Sequence, residues 1–160
     1  MKAPTPFLWF EKEAEEAANF YVSLLPDSRV ERVSTMPAES PSGPEGSVKV
    51  VEFTLAGQPW KAMTAAGRPD PFTQAVSFTI ACETQEEIDR LWNAILDHGG
   101  KAQACGWISD RWGLSWQITP KVLGGMMASS DRAAGRRAAE AMMKMVKLDI
   151  AELQKAFDGK

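Results

Sequence analysis

Histidine is nearly absent from this chain of 160 residues; His98 is the only one. A catalytic or metal site built on two imidazoles is therefore excluded. Cysteine is almost as scarce. Cys82 and Cys105 are too few for a disulfide scaffold, and a cytoplasmic chain would keep them reduced. No apolar run approaches the roughly 18 residues of a membrane span. Met1-Lys2-Ala3-Pro4 leads into no apolar signal region, so the expected location is cytoplasmic. A basic surplus is missing too: 18 Lys and Arg against 21 Asp and Glu leave a net charge of −3, which argues against a nucleic-acid surface. What the chain has in quantity is tryptophan, with 6 residues against a single tyrosine.

Three of those tryptophans, Trp107, Trp112 and Trp116, fall within residues 105–120. Asp110-Arg111-Trp112-Gly113 is turn chemistry, with Gly113 free to take positive φ after an Asp able to accept from nearby N–H groups. Apolar runs on either side predict two antiparallel strands. Alternation sorts Leu114, Trp116 and Ile118 onto one face and Ser115, Gln117 and Thr119 onto the other. One face packs, and the other is available to a ligand.

Ahead of this hairpin the chain reads twice through one pattern. Phe7 to Phe10 is a short strand, and Ala14, Ala17, Ala18, Tyr21, Leu24 and Leu25 recur at helical spacing until Pro26 and Asp27 stop them. Residues 29–36 make a weaker strand with a bulge, and residues 37–46, rich in Pro and Gly, a mobile loop. Strands follow at 48–55 and 60–64 around an Ala56-Gly57-Gln58 turn, and residues 65–72 form a linker. The pattern then restarts. Ala75 to Cys82 alternates, with Val76, Phe78, Ile80 and Cys82 on one face. Thr84-Gln85-Glu86-Glu87 is a capping box, and Ile88, Leu91, Trp92, Ile95 and Leu96 point inward before Gly99-Gly100. An offset of 71 residues lays Glu15-Glu16 on Glu86-Glu87, Tyr21 on Trp92, and Leu24-Leu25 on Ile95-Leu96. This is an internal duplication of a βαβββ unit. The fold class is α+β: two such modules in a curled mixed sheet that encloses a concave cavity.

The expected organisation is a single domain over 1–160, with modules at 1–66 and 74–119 and helices at 121–160. Val122 to Met127 makes a short helical turn. Ser130-Asp131 caps a helix from Arg132 to about Val146, and Asp149 begins another containing Ile150, Leu153 and Phe157. Met142, Met143 and Met145 supply flexible apolar contacts. These helices are expected to cover the sheet or to bridge a subunit contact.

Phe-Leu-Trp-Phe near the start, Ala17-Ala18-Asn19-Phe20-Tyr21, Cys105-Gly106-Trp107 with Asp110-Arg111-Trp112-Gly113-Leu114-Ser115-Trp116-Gln117, and Met142-Met143-Lys144-Met145 with Lys147-Leu148-Asp149-Ile150 together resemble the PhnB-like family. Its members are often labelled demethylubiquinone methyltransferase-like. They belong to the glyoxalase/bleomycin-resistance/dioxygenase (vicinal oxygen chelate) superfamily. The similarity extends over nearly the whole chain, tail helices included. It implies the paired-module fold and commonly a homodimer. Catalytic members of the superfamily hold a divalent ion with His, Gln and Glu on four strands. The matching stretches here are Pro6 to Leu8, Trp60 to Thr64, Gln74 to Val76, and Gln117. They offer amides without imidazole or carboxylate, so no metal or other cofactor is expected. A methyltransferase of the doubly wound type needs a Gly-rich strand-to-helix turn, and Gly43-Pro44-Glu45-Gly46 sits instead in a Pro-rich loop.

Other chemistry is thin. Cys105 is a candidate nucleophile if Arg111 lies near it, or simply a small apolar residue at the turn. Asp110 is a candidate general base, or the anchor of the hairpin. His98 suits a helix C-terminus. The expectation is a small-molecule-binding protein whose site uses Trp9, Trp60, Gln74, Trp107, Trp116 and Gln117 to hold an aromatic or amphipathic compound. The alternatives are a metal-dependent lyase, isomerase or dioxygenase using Gln74 and Gln117, or a structural dimer.

Overall fold

The computed structural model describes residues 4–67 and 70–160. Met1 to Ala3, and Arg68 and Pro69 of the expected linker, lie outside the described residues. The chain divides into two compact units, one up to Pro71 and one from Phe72. The described residues form two four-stranded mixed sheets and five helices, an α+β fold in which neither sheet is closed.

In the first unit β1 (Phe7–Phe10) leads to α1 (Ala14–Leu24), followed by β2 (Arg29–Thr35), β3 (Lys49–Leu55) and β4 (Gln58–Thr64). The strand order is β1-β4-β3-β2, with β1 parallel to β4 and the other pairs antiparallel. The expected bulge in β2 falls between Val30 and Arg32. Alternation puts Leu8, Phe10, Val51, Phe53, Leu55, Trp60 and Ala62 on one face, all buried. Helix α1 covers that face with Ala14, Ala17, Ala18, Tyr21 and Leu24, and the Ala14 N–H donates to Thr64 Oγ1 (3.1 Å). The loop expected to be mobile is closed by reciprocal Ser40–Gly43 backbone bonds and by Gly46 N–H donating to Met36 O.

The second unit repeats the plan in shorter strands. Here β5 (Ser77–Cys82) leads to α2 (Gln85–Asp97), then β6 (Lys101–Ala102), β7 (Trp107–Ser109) and β8 (Ser115–Pro120), in the order β5-β8-β7-β6. Ile88, Leu91, Trp92 and Ile95 of α2 are buried, as are Ile108, Leu114, Trp116 and Ile118. Thr84 Oγ1 caps Glu87 N, but the Glu87 carboxylate reaches Glu83 N (2.7 Å), one residue further out than a standard capping box. Alternation groups Val76 with Phe78, Ile80 and Cys82 on one face of a strand beginning at Ala75, but the strand begins at Ser77. Val76 is 60% exposed, because pairing with β8 begins only at Ser77.

Beyond β8 come α3 (Lys121–Met127), α4 (Arg132–Met142) and α5 (Ile150–Asp158). Asp131 and Asp149 cap α4 and α5 as expected. Rather than covering the sheet, the three helices build a cluster of their own. Its centre is Met126, Ala138, Leu148 and Leu153, flanked by Met142 and Met145, while Met143 is exposed. Helix α4 stops at Met142 instead of about Val146: the Lys144 and Met145 N–H groups donate three residues back, to Ala141 and Met142, and the carbonyls of Met145 and Val146 accept from Cys105 and Gly106.

Candidate functional site

The expected ligand residues divide between faces. In the second unit Trp107 pairs with Gln117, and Gln117 with Thr79, so these side chains share the face turned away from α2. Trp107 and Gln117 are half-buried there. The Gln117 amide donates to Ser77 Oγ (2.8 Å), which fixes its orientation and leaves its carbonyl as an acceptor. Trp116 lies on the opposite, packed face, buried and 5.8 Å from the Phe78 ring.

Asp110 explains why Trp116 stays there. Its carboxylate is buried; Oδ1 accepts from Trp112 N (2.9 Å) and Leu114 N (3.0 Å), and Oδ2 from the Trp116 indole (3.0 Å). Gly113, at φ 89°, donates its N–H to Asp110 O and closes the turn. A carboxylate so engaged anchors a hairpin; it is poorly placed to take a proton from a substrate. Arg111 stacks over Trp112 (4.8 Å), whose ring lies 5.6 Å from His98, the C-cap of α2. Cys105 is partly exposed and takes a left-handed φ of 60°. Cys82 is buried, and burial pushes its thiol up to about 11, the Glu87 charge adding to the rise, so it stays an inert thiol.

In the first unit, Phe7, Trp9, Val50 and Met63 share the face turned away from α1. The Trp9 indole donates to Ala65 O (3.1 Å). Trp60 is on the other side, buried against Phe53 with ring centroids 6.1 Å apart. Alternation in β3 and β4 also places Glu52 and Lys61 on the outer face, a feature the sequence reading missed. Glu52 holds both Lys61 (2.7 Å) and Arg32, which keeps its carboxyl below the usual range, the Lys61 hydrogen bond contributing most. Gln74 lies in the loop ahead of β5 and donates to the Gln103 amide oxygen.

Among the described residues no three His, Cys, Asp or Glu side chains gather as a metal-binding group. No described helix is long and apolar enough to cross a membrane. Grooves of about 480 Å³ at the start of α1, about 540 Å³ between α4 and α5, and about 530 Å³ beside the starts of α2 and α5 include none of the expected ligand residues.

Against known proteins, residues 2–119 match the family model described as 3-demethylubiquinone-9 3-methyltransferase. The PhnB protein of Bacillus cereus, which carries the same description, is 35% identical over 74% of this chain and 99% of its own, with a TM-score of 0.65. The chain belongs to this PhnB-like family. The family match ends at 119, so α3, α4 and α5 lie outside it, contrary to the expectation that the resemblance runs into the tail. A glyoxylase/bleomycin resistance protein/dioxygenase domain from Frankia sp. (12% identity, 75% of this chain and 97% of that one, TM-score 0.51) shares the fold. So does the fosfomycin resistance protein FosX of Mesorhizobium loti (13%, 81% and 100%, TM-score 0.53). No curated protein matches the chain. The family's methyltransferase description has no support in the PhnB-like fold seen here. The sheets are mixed rather than doubly wound, and the β1–α1 connection, Glu11-Lys12-Glu13, contains no glycine to seat a cofactor.

Proposed function

We propose that this PhnB-like protein binds a small aromatic or amphipathic molecule without a metal, on the sheet face that carries Trp107 and Gln117. One observation supports this most. A half-buried indole lies in register with an amide whose N–H₂ is already committed to Ser77, leaving a carbonyl to accept a ligand O–H or N–H beside an aromatic surface. Trp9, with Met63 and Val50, offers a second apolar surface in the first unit. Trp60 and Trp116 support these surfaces from beneath, and Gln74 contributes from the loop ahead of β5. The metal-free part of the reading rests on donor chemistry: amides at Gln74 and Gln117 are weak ligands, and Glu52 is neutralised by two cations. The homodimer implied by the family belongs to the same reading.

Titration with the aromatic probe 8-anilinonaphthalene-1-sulfonate tests the proposal. Saturable binding is expected, weakened at least about fivefold by Trp107→Phe and by Gln117→Leu with the far-UV circular dichroism unchanged. Equal affinity in both variants sinks it. Elemental analysis showing one transition metal per chain would favour the metal-dependent lyase, isomerase or dioxygenase instead.

A further inference from the structure

The segment joining α4 to α5 is tied into the second unit from two sides, although it lies beyond the family match. On one side the N–H groups of Cys105 and Gly106 donate to the carbonyls of Met145 and Val146, each at 2.8 Å. On the other, Lys147 Nζ sits 2.6 Å from Asp89. The Gln85 amide adds two bonds: Nε2 donates to Leu148 O (3.2 Å), and Oε1 accepts from Ile150 N (2.9 Å). Between the two sides Leu148 is fully buried and fills the space beside Gly106, where a Cβ would lie 2.9 Å from its Cδ1.

The turn held in this way is one the chain disfavours by itself. Cys105 adopts φ 60°, which costs a non-glycine residue about 1 kcal/mol, and Gly106 follows at φ 80°. Trp107 is the next residue, and Gly106 O accepts from Ile118 N (2.8 Å), adjacent to Gln117. The shape of this turn therefore sets both the start of β7 and the registry of β8 with it. The ladder gives β7 little independent support, since β6 has 2 residues and β7 has 3, whereas β8 is also held by β5 over 6 residues.

We infer that residues 145–150, clipped to α2 by Gln85 and Lys147, are a strap that positions Trp107 against Gln117 on the binding face. The inference rests on the proposal that this face receives the ligand. Gln85 is a positioning residue: its bonds run to Asp89, Leu148 and Ile150, and it reaches the face only through the strap.

The full-length double variant Gln85→Ala, Lys147→Ala tests this by amide hydrogen exchange and by 19F NMR of 5-fluorotryptophan-labelled protein, with Trp107 assigned through Trp107→Phe. Exchange at Cys105 and Gly106 should rise at least about tenfold and the Trp107 resonance should shift, while Ile80 and Leu91 keep their protection. Affinity for 8-anilinonaphthalene-1-sulfonate should fall at least about threefold. Wild-type exchange at Cys105 and Gly106 overturns the strap, as does an equal loss of protection at Ile80 and Leu91, which marks general destabilisation. A loosened turn and a shifted Trp107, with probe affinity unchanged here and in Trp107→Phe, leaves the strap standing and removes the binding face.

Discussion

The two copies of the repeat hold their last three strands by different means. In the first, β2, β3 and β4 each run for 7 residues, and a two-residue turn, Ala56-Gly57, joins the last pair. In the second, β6 and β7 shrink to 2 and 3 residues, a longer loop carries the buried Asp110, and the tail grips the turn ahead of β7. A long backbone ladder spreads its support over many equivalent bonds, so few side chains matter individually. The short ladder concentrates support in a carboxylate, a glycine and a strap. The copy that bears Trp107 and Gln117 is thus the one whose shape depends on particular side chains.

The largest test of that contrast is Asp110→Ala. It strips the acceptor from two backbone N–H groups and the Trp116 indole in a buried site. An unsatisfied buried donor costs about 1–3 kcal/mol, so with partial rescue by water the expected loss is about 4 kcal/mol. Urea unfolding followed by tryptophan emission measures it. Glu52→Ala, on the first copy's exposed face, should leave the midpoint nearly unchanged. Equal effects from the two substitutions would erase the distinction.

Much of the first copy's plan is legible in the sequence because it is local. The repeat offset places the helix starts at Ala14 and Gln85, where the structure has them, and Tyr21 and Trp92 are buried as equivalents. The second copy is harder to read, since strands of two and three residues show no periodicity. The end of α4 was hidden for another reason: Met142 to Val146 has an apolar pattern that suits a helix, but the segment tightens after Met142 and its last carbonyls bond to Cys105 and Gly106, distant in sequence. The tryptophans were partly legible. Alternation grouped Trp116 with Leu114 and Ile118, and the structure buries all three. In β4, however, Ala62 and Met63 flank the strand's two faces with similar polarity, so the pattern did not assign Trp60 to the packed side.

A pair of glycines separates local strain from crowding. Gly57 and Gly106 sit at φ 76° and 80°, so alanine meets the same backbone penalty at each, about 1 kcal/mol. Their surroundings differ. At Gly57 the closest neighbour of an added Cβ is the Asp27 carboxylate oxygen at 2.9 Å, the end of a side chain that can rotate away. At Gly106 it would meet the Ile118 carbonyl oxygen at 2.8 Å and the packed Leu148 at 2.9 Å, neither free to move. Gly106→Ala is therefore expected to cost about 3 kcal/mol and Gly57→Ala about 1 kcal/mol, read from denaturation midpoints. Equal costs would mean that the tail does not press on the turn.

The smallest effect should be a gain. A two-residue hairpin turn of this hand requires positive φ at both positions, and Ala56 supplies it at 48° despite its Cβ. Asparagine tolerates that region far better, and the Ser28 hydroxyl that accepts from the residue 56 N–H at 2.8 Å is untouched by the exchange. Ala56→Asn should therefore stabilise the first unit by about 0.5–1 kcal/mol, raising its thermal midpoint by a few degrees. The binding of 8-anilinonaphthalene-1-sulfonate on the Trp107 face should not change, because that face belongs to the other unit. A midpoint that stays put would show that the long ladder already absorbs the strain of its own turn, which is the first copy's robustness carried one step further.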